Sequence, residues 1–180
     1  MAKFRIFLSL LILSFNCSDA AAQSKISRNV IRCDKAALSI NKQICRMVAP
    51  VVDYGAVERF TLTLVRLDLN ADGRKELIAW ESSWAGSSGG GLWVFARKGK
   101  HLKKLFDGDM TWSPILLLTT KHRGWSDLAY FQTGGGLDER FIVIRYAAGR
   151  YAVSATVIKA PSGAILVRRD WRRSVFGPRK

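Results

Sequence analysis

The chain has 180 residues, with 29 lysines and arginines against 14 aspartates and glutamates, a net charge of +15. That length suits one domain with a core of its own. So large a positive surplus points either to an anionic partner or simply to solubility.

The chain opens with Lys3 and Arg5, an apolar run from Ile6 to Phe15, and small residues Ala20, Ala21 and Ala22 before Gln23. This is the order a signal peptidase reads, so residues 1–22 are expected to be a cleaved secretory signal. The run is too short for a membrane span, which needs about 20 apolar residues. Phe15 and Asn16 before Cys17 are poor substitutes for the small residues of a lipid-attachment site. Removal of 1–22 takes Lys3, Arg5 and Asp19 and leaves the mature chain at +14. Nucleic acid would be the usual partner of such a charge, but a periplasmic or secreted protein meets anionic envelope polymers, lipopolysaccharide or phospholipid surfaces instead. The oligomeric state is not legible.

Four regions follow in order: the signal peptide, a helical segment over 23–58 that holds both remaining cysteines, an antiparallel β domain over 59–170, and a basic tail over 171–180. In an oxidising compartment Cys33 and Cys45 are expected to pair. One continuous helix between them would hold their Cα atoms about 18 Å apart, at roughly 1.5 Å per residue. A bridge therefore requires the segment to fold back, with Ser39 starting a short helix through Met47 that ends before Pro50.

From Phe60 onward, short β-rich runs alternate with glycine and charged turns. Strands are expected over Phe60–Leu67, Glu76–Glu81, Leu92–Arg97, Leu102–Phe106, Ile115–Thr120, Asp127–Gln132, Phe141–Tyr146, Tyr151–Lys159 and Ala164–Arg168. Leu116–Leu118 and Ile142–Ile144 are continuous enough to be central strands buried on both faces. A weak repeat lays Glu76–Trp80 over Asp127–Phe131 and Gly73 over Gly124. The fold class is thus mainly β, built either as two propeller-blade-like four-stranded units or as a sandwich, behind a short disulfide-closed helical segment.

One motif carries chemistry. In Asp68-Leu69-Asn70-Ala71-Asp72-Gly73-Arg74-Lys75-Glu76, oxygen side chains alternate and a glycine sits where the chain must turn. Asp68, Asn70, Asp72, the Arg74 carbonyl and Glu76 could wrap a hard cation, and an all-oxygen, flexible cage favours calcium. The twelfth position is Ala79, so the loop is not an EF-hand. An Asp-Gly hairpin turn with no metal is the competing reading. The loop resembles the strand-loop-strand calcium loop of the FG-GAP and VCBS repeat families, over residues 60–81, with Glu76 where those repeats usually carry Asp. That resemblance implies calcium and a role in adhesion or extracellular scaffolding.

A second resemblance lies in Cys33-Asp34-Lys35-Ala36 followed by Ile40, Lys42, Ile44 and Cys45, which is similar to the cysteine motif of the LprI N-terminal family. It has the same 11 residues between its cysteines. Leu38, Ser39 and Asn41 replace the Thr, Pro and Glu usual there. The resemblance implies export and, by the family's name, lysozyme inhibition. Common lysozymes are themselves basic, so an inhibitor would need an acidic patch, for which Asp107, Asp109, Asp138 and Glu139 are the candidates.

Arg168, Arg169, Arg172 and Arg173, with Trp171 and Phe176, form a terminus suited to anionic surfaces, since guanidinium forks grip phosphates and the rings enter an interface. Trp80, Trp84, Trp93, Trp112 and Trp125 fit either sheet packing or sugar stacking. His101 and His122 lie in basic turns without a nucleophile elbow or zinc spacing, and no enzyme is expected. The reading is a non-enzymatic, calcium-stabilised binding module for an anionic envelope polymer or partner. The alternative is an inhibitor or immunity-type protein acting on a cell-wall hydrolase.

Overall fold

The structure, a computed structural model, describes residues 26–33, 39–49, 60–81, 89–134 and 137–168. The signal segment, Trp84, Arg169, Arg172 and Arg173 lie outside the described residues. The elements are β1 (Ser27–Arg32), α1 (Ser39–Val48), β2 (Thr61–Leu67), β3 (Glu76–Glu81), β4 (Gly90–Lys98), β5 (His101–His122), β6 (Trp125–Gly134), β7 (Leu137–Ala147), β8 (Arg150–Val157) and β9 (Gly163–Val167).

All nine strands belong to one antiparallel sheet in which β1 to β8 follow chain order and β9 pairs with β5. The mainly β expectation holds, and the two four-stranded units are the halves of this sheet, β2 to the first part of β5 and the second part of β5 to β8. Strand β5 pairs with β4 through Thr111 and with β6 from Trp112 onward, so one long strand serves both halves. The sheet closes over itself. Val65, Ile78, Trp80 and Val94 of the first half share one core with Leu128, Tyr130, Ile144 and Leu166 of the second. Arg28 fastens the edges, donating through Nε to the Leu166 carbonyl at 2.6 Å and through Nη2 to the Ile165 carbonyl at 2.8 Å.

The outer face of the first half is covered by α1. Ile44 and Val48 pack on Leu62, Leu64, Leu77, Trp93 and Phe95, all at or below 5% exposure. Alternation does this: Leu62 and Leu64 face the helix while Val65 and Leu67 turn to the shared core. The Cys33–Cys45 bridge joins the end of β1 to α1 with Cα atoms 5.6 Å apart, as the fold-back required.

Two expectations are corrected. The segment 23–58 is not only helical, because β1 lies within it and pairs with β2. An edge strand whose Val30 is 69% exposed has no alternating apolar signal to read. The expected strands Leu102–Phe106 and Ile115–Thr120 are one 22-residue strand. The ladder continues through the intervening residues, where Asp107 pairs with Trp93 and Gly108 with Leu92. Glycine is needed at 108 for space, since a Cβ there would lie 2.6 Å from the Phe106 ring. Pro114, which has no N–H for the ladder, sits in the register shift between Trp112 and Ile115.

The 50-residue repeat is out of phase with the sheet. It sets Ile78 and Trp80 against Ala129 and Phe131, but Ile78 and Trp80 face the shared core as Leu128 and Tyr130 do, while Ala129 and Phe131 pack on the outer face. The double-sided burial of the central strands does hold, with Leu116, Leu118 and Val143 outside and Ile142 and Ile144 inside.

Because the bridge ties β1 to the helix that covers the first half across a short stretch of sequence, the Cys33→Ser, Cys45→Ser double variant is expected to lose about 3 kcal/mol. Urea unfolding of the oxidised wild type and the variant measures the difference.

Candidate functional site

The Asp68–Glu76 segment connects β2 to β3. Its first turn is fixed by Leu69, whose side chain is fully buried in the shared core. The Leu69 carbonyl accepts from the Ser126 N–H at 2.7 Å, and its own N–H donates to Glu76 Oε2 at 2.8 Å. The loop is thus pinned to the second half of the sheet. Tyr151 reinforces that point by donating to the Ser126 carbonyl at 2.7 Å.

Between these anchors the acidic side chains organise the backbone. Asp68 Oδ1 accepts from the N–H groups of Asn70 and Asp72 at 3.2 and 3.3 Å, and its Oδ2 accepts from Gly73 at 2.8 Å. Asn70 Oδ1 accepts from the Asp72 N–H at 3.0 Å, and Asp72 Oδ1 accepts from the Arg74 N–H at 2.7 Å. Such Asx-type bonds are available to these side chains and explain why they replace ladder pairing here. The turn places both Ala71, at φ +62°, and Gly73, at φ +81°, in the left-handed region, which glycine adopts without cost.

The donor set fits a hard cation in chemistry, since every side chain offers oxygen and a carboxylate keeps further lone pairs when it accepts an N–H. The arrangement is that of a self-satisfied turn: Asn70 Nδ2 donates to Asp72 Oδ2 at 3.1 Å. Among the described residues no three His, Cys, Asp or Glu side chains are grouped to hold a metal ion.

Glu76 is 3% exposed, and burial raises its pKa above the usual carboxylate range. The Leu69 N–H works against that rise, while the charges of Asp72 and Asp68 add to it. The folded protein therefore binds this proton more tightly than the unfolded chain, and stability falls as pH rises from the ordinary value of 4.5 through the raised one.

The outward residues of the same loop make a different surface. Arg74 and Lys75 join Arg66 of β2 and Arg97 of β4 around a pocket of about 660 Å³ with Ile40 and Leu77 in its lining. Pairing explains the convergence. Arg66 lies opposite Leu77, and it follows Leu62 and Leu64 on the face that α1 covers. Among the described residues α1 reaches along that face as far as Ile40, which lines the pocket with Leu77 and the cations. With the Asn29 amide turned to satisfy both ends, its oxygen accepts from Arg66 Nη1 at 2.9 Å, and Arg97 Nε donates to the Gly99 carbonyl at 3.2 Å. Spacing along the chain gave no signal for this pocket, because its cations come from three separate segments.

The other singled-out residues are dispersed. Arg168 is exposed just after β9, and its three partners in the tail lie outside the described residues. Trp80 and Trp93 are core residues at 4% and 1% exposure, while Trp125 stacks on Tyr146 with centroids 4.1 Å apart. Asp107 is ion-paired with Lys104. One cluster was missed. Asp127 is fully buried and accepts from Thr120 Oγ1 at 2.7 Å, with His122 Nδ1 at 3.1 Å and Arg145 Nε at 3.4 Å. A carboxylate against a histidine ring is half of a general-base pair, and among the described residues the hydrogen bonds of His122 go to Asp127 alone.

Comparison with protein-family models, with characterised proteins and with solved structures finds no match to this chain.

Glu76→Gln retains an acceptor for the Leu69 N–H and removes the desolvated charge. In EDTA it is expected to be more stable than the wild type at neutral pH, with the difference vanishing as pH falls below the ordinary carboxylate range. Urea melts at a series of pH values measure this.

Proposed function

We propose that the chain is an exported, non-enzymatic binding module, stabilised by calcium in the Asp68–Glu76 loop, that holds an anionic polymer of the cell envelope. The observation that carries this reading is the convergence of Arg66, Arg74, Lys75 and Arg97 on one pocket. Basic side chains gathered from β2, β4 and the loop between β2 and β3 offer an anion several donors at once. Export follows from the signal-like first 22 residues, and the Cys33–Cys45 bridge accords with an oxidising compartment. The tail arginines extend the same charge and would add contacts outside the pocket.

Calcium would be held by Asp68, Asn70, Asp72, the Arg74 carbonyl and Glu76. It would neutralise three carboxylates that otherwise rely on backbone N–H groups. A thermal melt in 5 mM calcium against EDTA is expected to show a gain of about 2.3 kcal/mol for a dissociation constant near 0.1 mM. The gain should be absent in Asp68→Ala. No shift in the wild type removes calcium from the account.

Binding of the mature protein to inorganic polyphosphate, measured in EDTA at low and physiological salt, tests the partner class. Affinity is expected to fall steeply as salt screens the pocket charges. The Arg66→Gln, Arg97→Gln double variant should bind about tenfold more weakly. Absence of binding at low salt would end the proposal.

A further inference from the structure

Two of the four pocket cations, Arg74 and Lys75, stand on the limb of the acidic loop that leads into β3. Their backbone is set by carboxylates on the other side of the chain. Asp72 Oδ1 takes the Arg74 N–H at 2.7 Å, and Asp68 Oδ2 takes the Gly73 N–H at 2.8 Å. Both ends of the loop are fixed independently of these bonds, at Leu69 in the core and at Glu76 in β3. What Asp68 and Asp72 decide is therefore the path of residues 70–75 between two fixed points. Arg66 and Arg97, by contrast, rise from sheet strands whose ladders hold them in place.

We propose that Asp68 and Asp72 are positioning residues for the pocket, presenting Arg74 and Lys75 to a phosphate-class polyanion whose affinity the loop thereby controls. The inference rests on the anion-pocket reading above. A phosphate chain fits best because guanidinium forks bind phosphate oxygens in pairs, and because it places the most negative charge in a small volume. The acidic side chains act in two opposed ways. Their hydrogen bonds hold the cations in place, while their charge weakens the attraction for an anion across the loop. A substitution that keeps the acceptor and removes the charge separates the two.

Asp72→Asn keeps an oxygen for the Arg74 N–H, and Asp72→Ala does not. Isothermal titration with inorganic polyphosphate in EDTA is expected to give Asp72→Asn at least the wild-type affinity and Asp72→Ala an affinity lower by about fivefold. A charge-neutral variant guards against misreading a loss of fold. A Cβ at Gly73 meets nothing within 4 Å, so Gly73→Ala disturbs only the backbone at φ +81°. It should weaken binding in the same direction, with near-ultraviolet circular dichroism unchanged.

If Asp72→Ala and Gly73→Ala bind as the wild type does while Arg66→Gln, Arg97→Gln binds weakly, the positioning role is overturned and the pocket stands. If the arginine variant also binds as the wild type does, the pocket itself is overturned. Equal or tighter binding of polyglutamate of matched charge would contradict the phosphate class. Binding to vesicles of a phosphomonoester lipid without binding to soluble polyphosphate would contradict a polymer ligand.

Discussion

The structure depends on burial between the two halves of a single sheet. The apolar faces of β2, β3 and β4 would be left open to water without those of β6, β7 and β9 opposite them. Leu69 closes one end of that seam. Its side chain is in the core, its carbonyl holds Ser126 of the second half, and its N–H holds Glu76. The acidic loop is therefore anchored at the point where the halves meet. Such an anchored loop changes shape only in its middle.

That arrangement gives the loop two faces of opposite charge. Acids at 68, 72 and 76 attend to backbone N–H groups, and bases at 74 and 75 look outward to Arg66 and Arg97. The bend produces this separation, because Ala71 and Gly73 at positive φ fold the carboxylates back onto the loop's own N–H groups. A cation on one face and an anion on the other would each lower the cost of holding like charges together. The loop and the pocket are in this sense one site.

The strands with internal alternation or continuous apolar runs were legible from residue types alone. Glu76–Glu81 begins and ends where expected, and Leu116–Leu118 and Ile142–Ile144 are buried as their composition implied. The disulfide was expected from two cysteines behind a signal-like first 22 residues, and Cys33 and Cys45 are bridged. The failures have physical causes. β1 is an exposed edge with no pattern, the ladder of β5 continues through Asp107 and Gly108, and the apparent repeat matches residue types across opposite faces. The acidic loop was found because its residues are consecutive. The cationic pocket and the Asp127–His122 contact are products of pairing between strands, which no linear spacing displays.

The central claim, that an anionic polymer sits where the loop and the strands bring their cations together, is tested most directly by mapping amide chemical shifts of the mature, isotope-labelled protein during titration with polyphosphate. The account predicts saturable shifts concentrated at Arg66, residues 73–75 and residues 97–99, with β7 and β8 unaffected. Shifts confined to the residues after Arg168, or spread evenly over every basic residue, would contradict it.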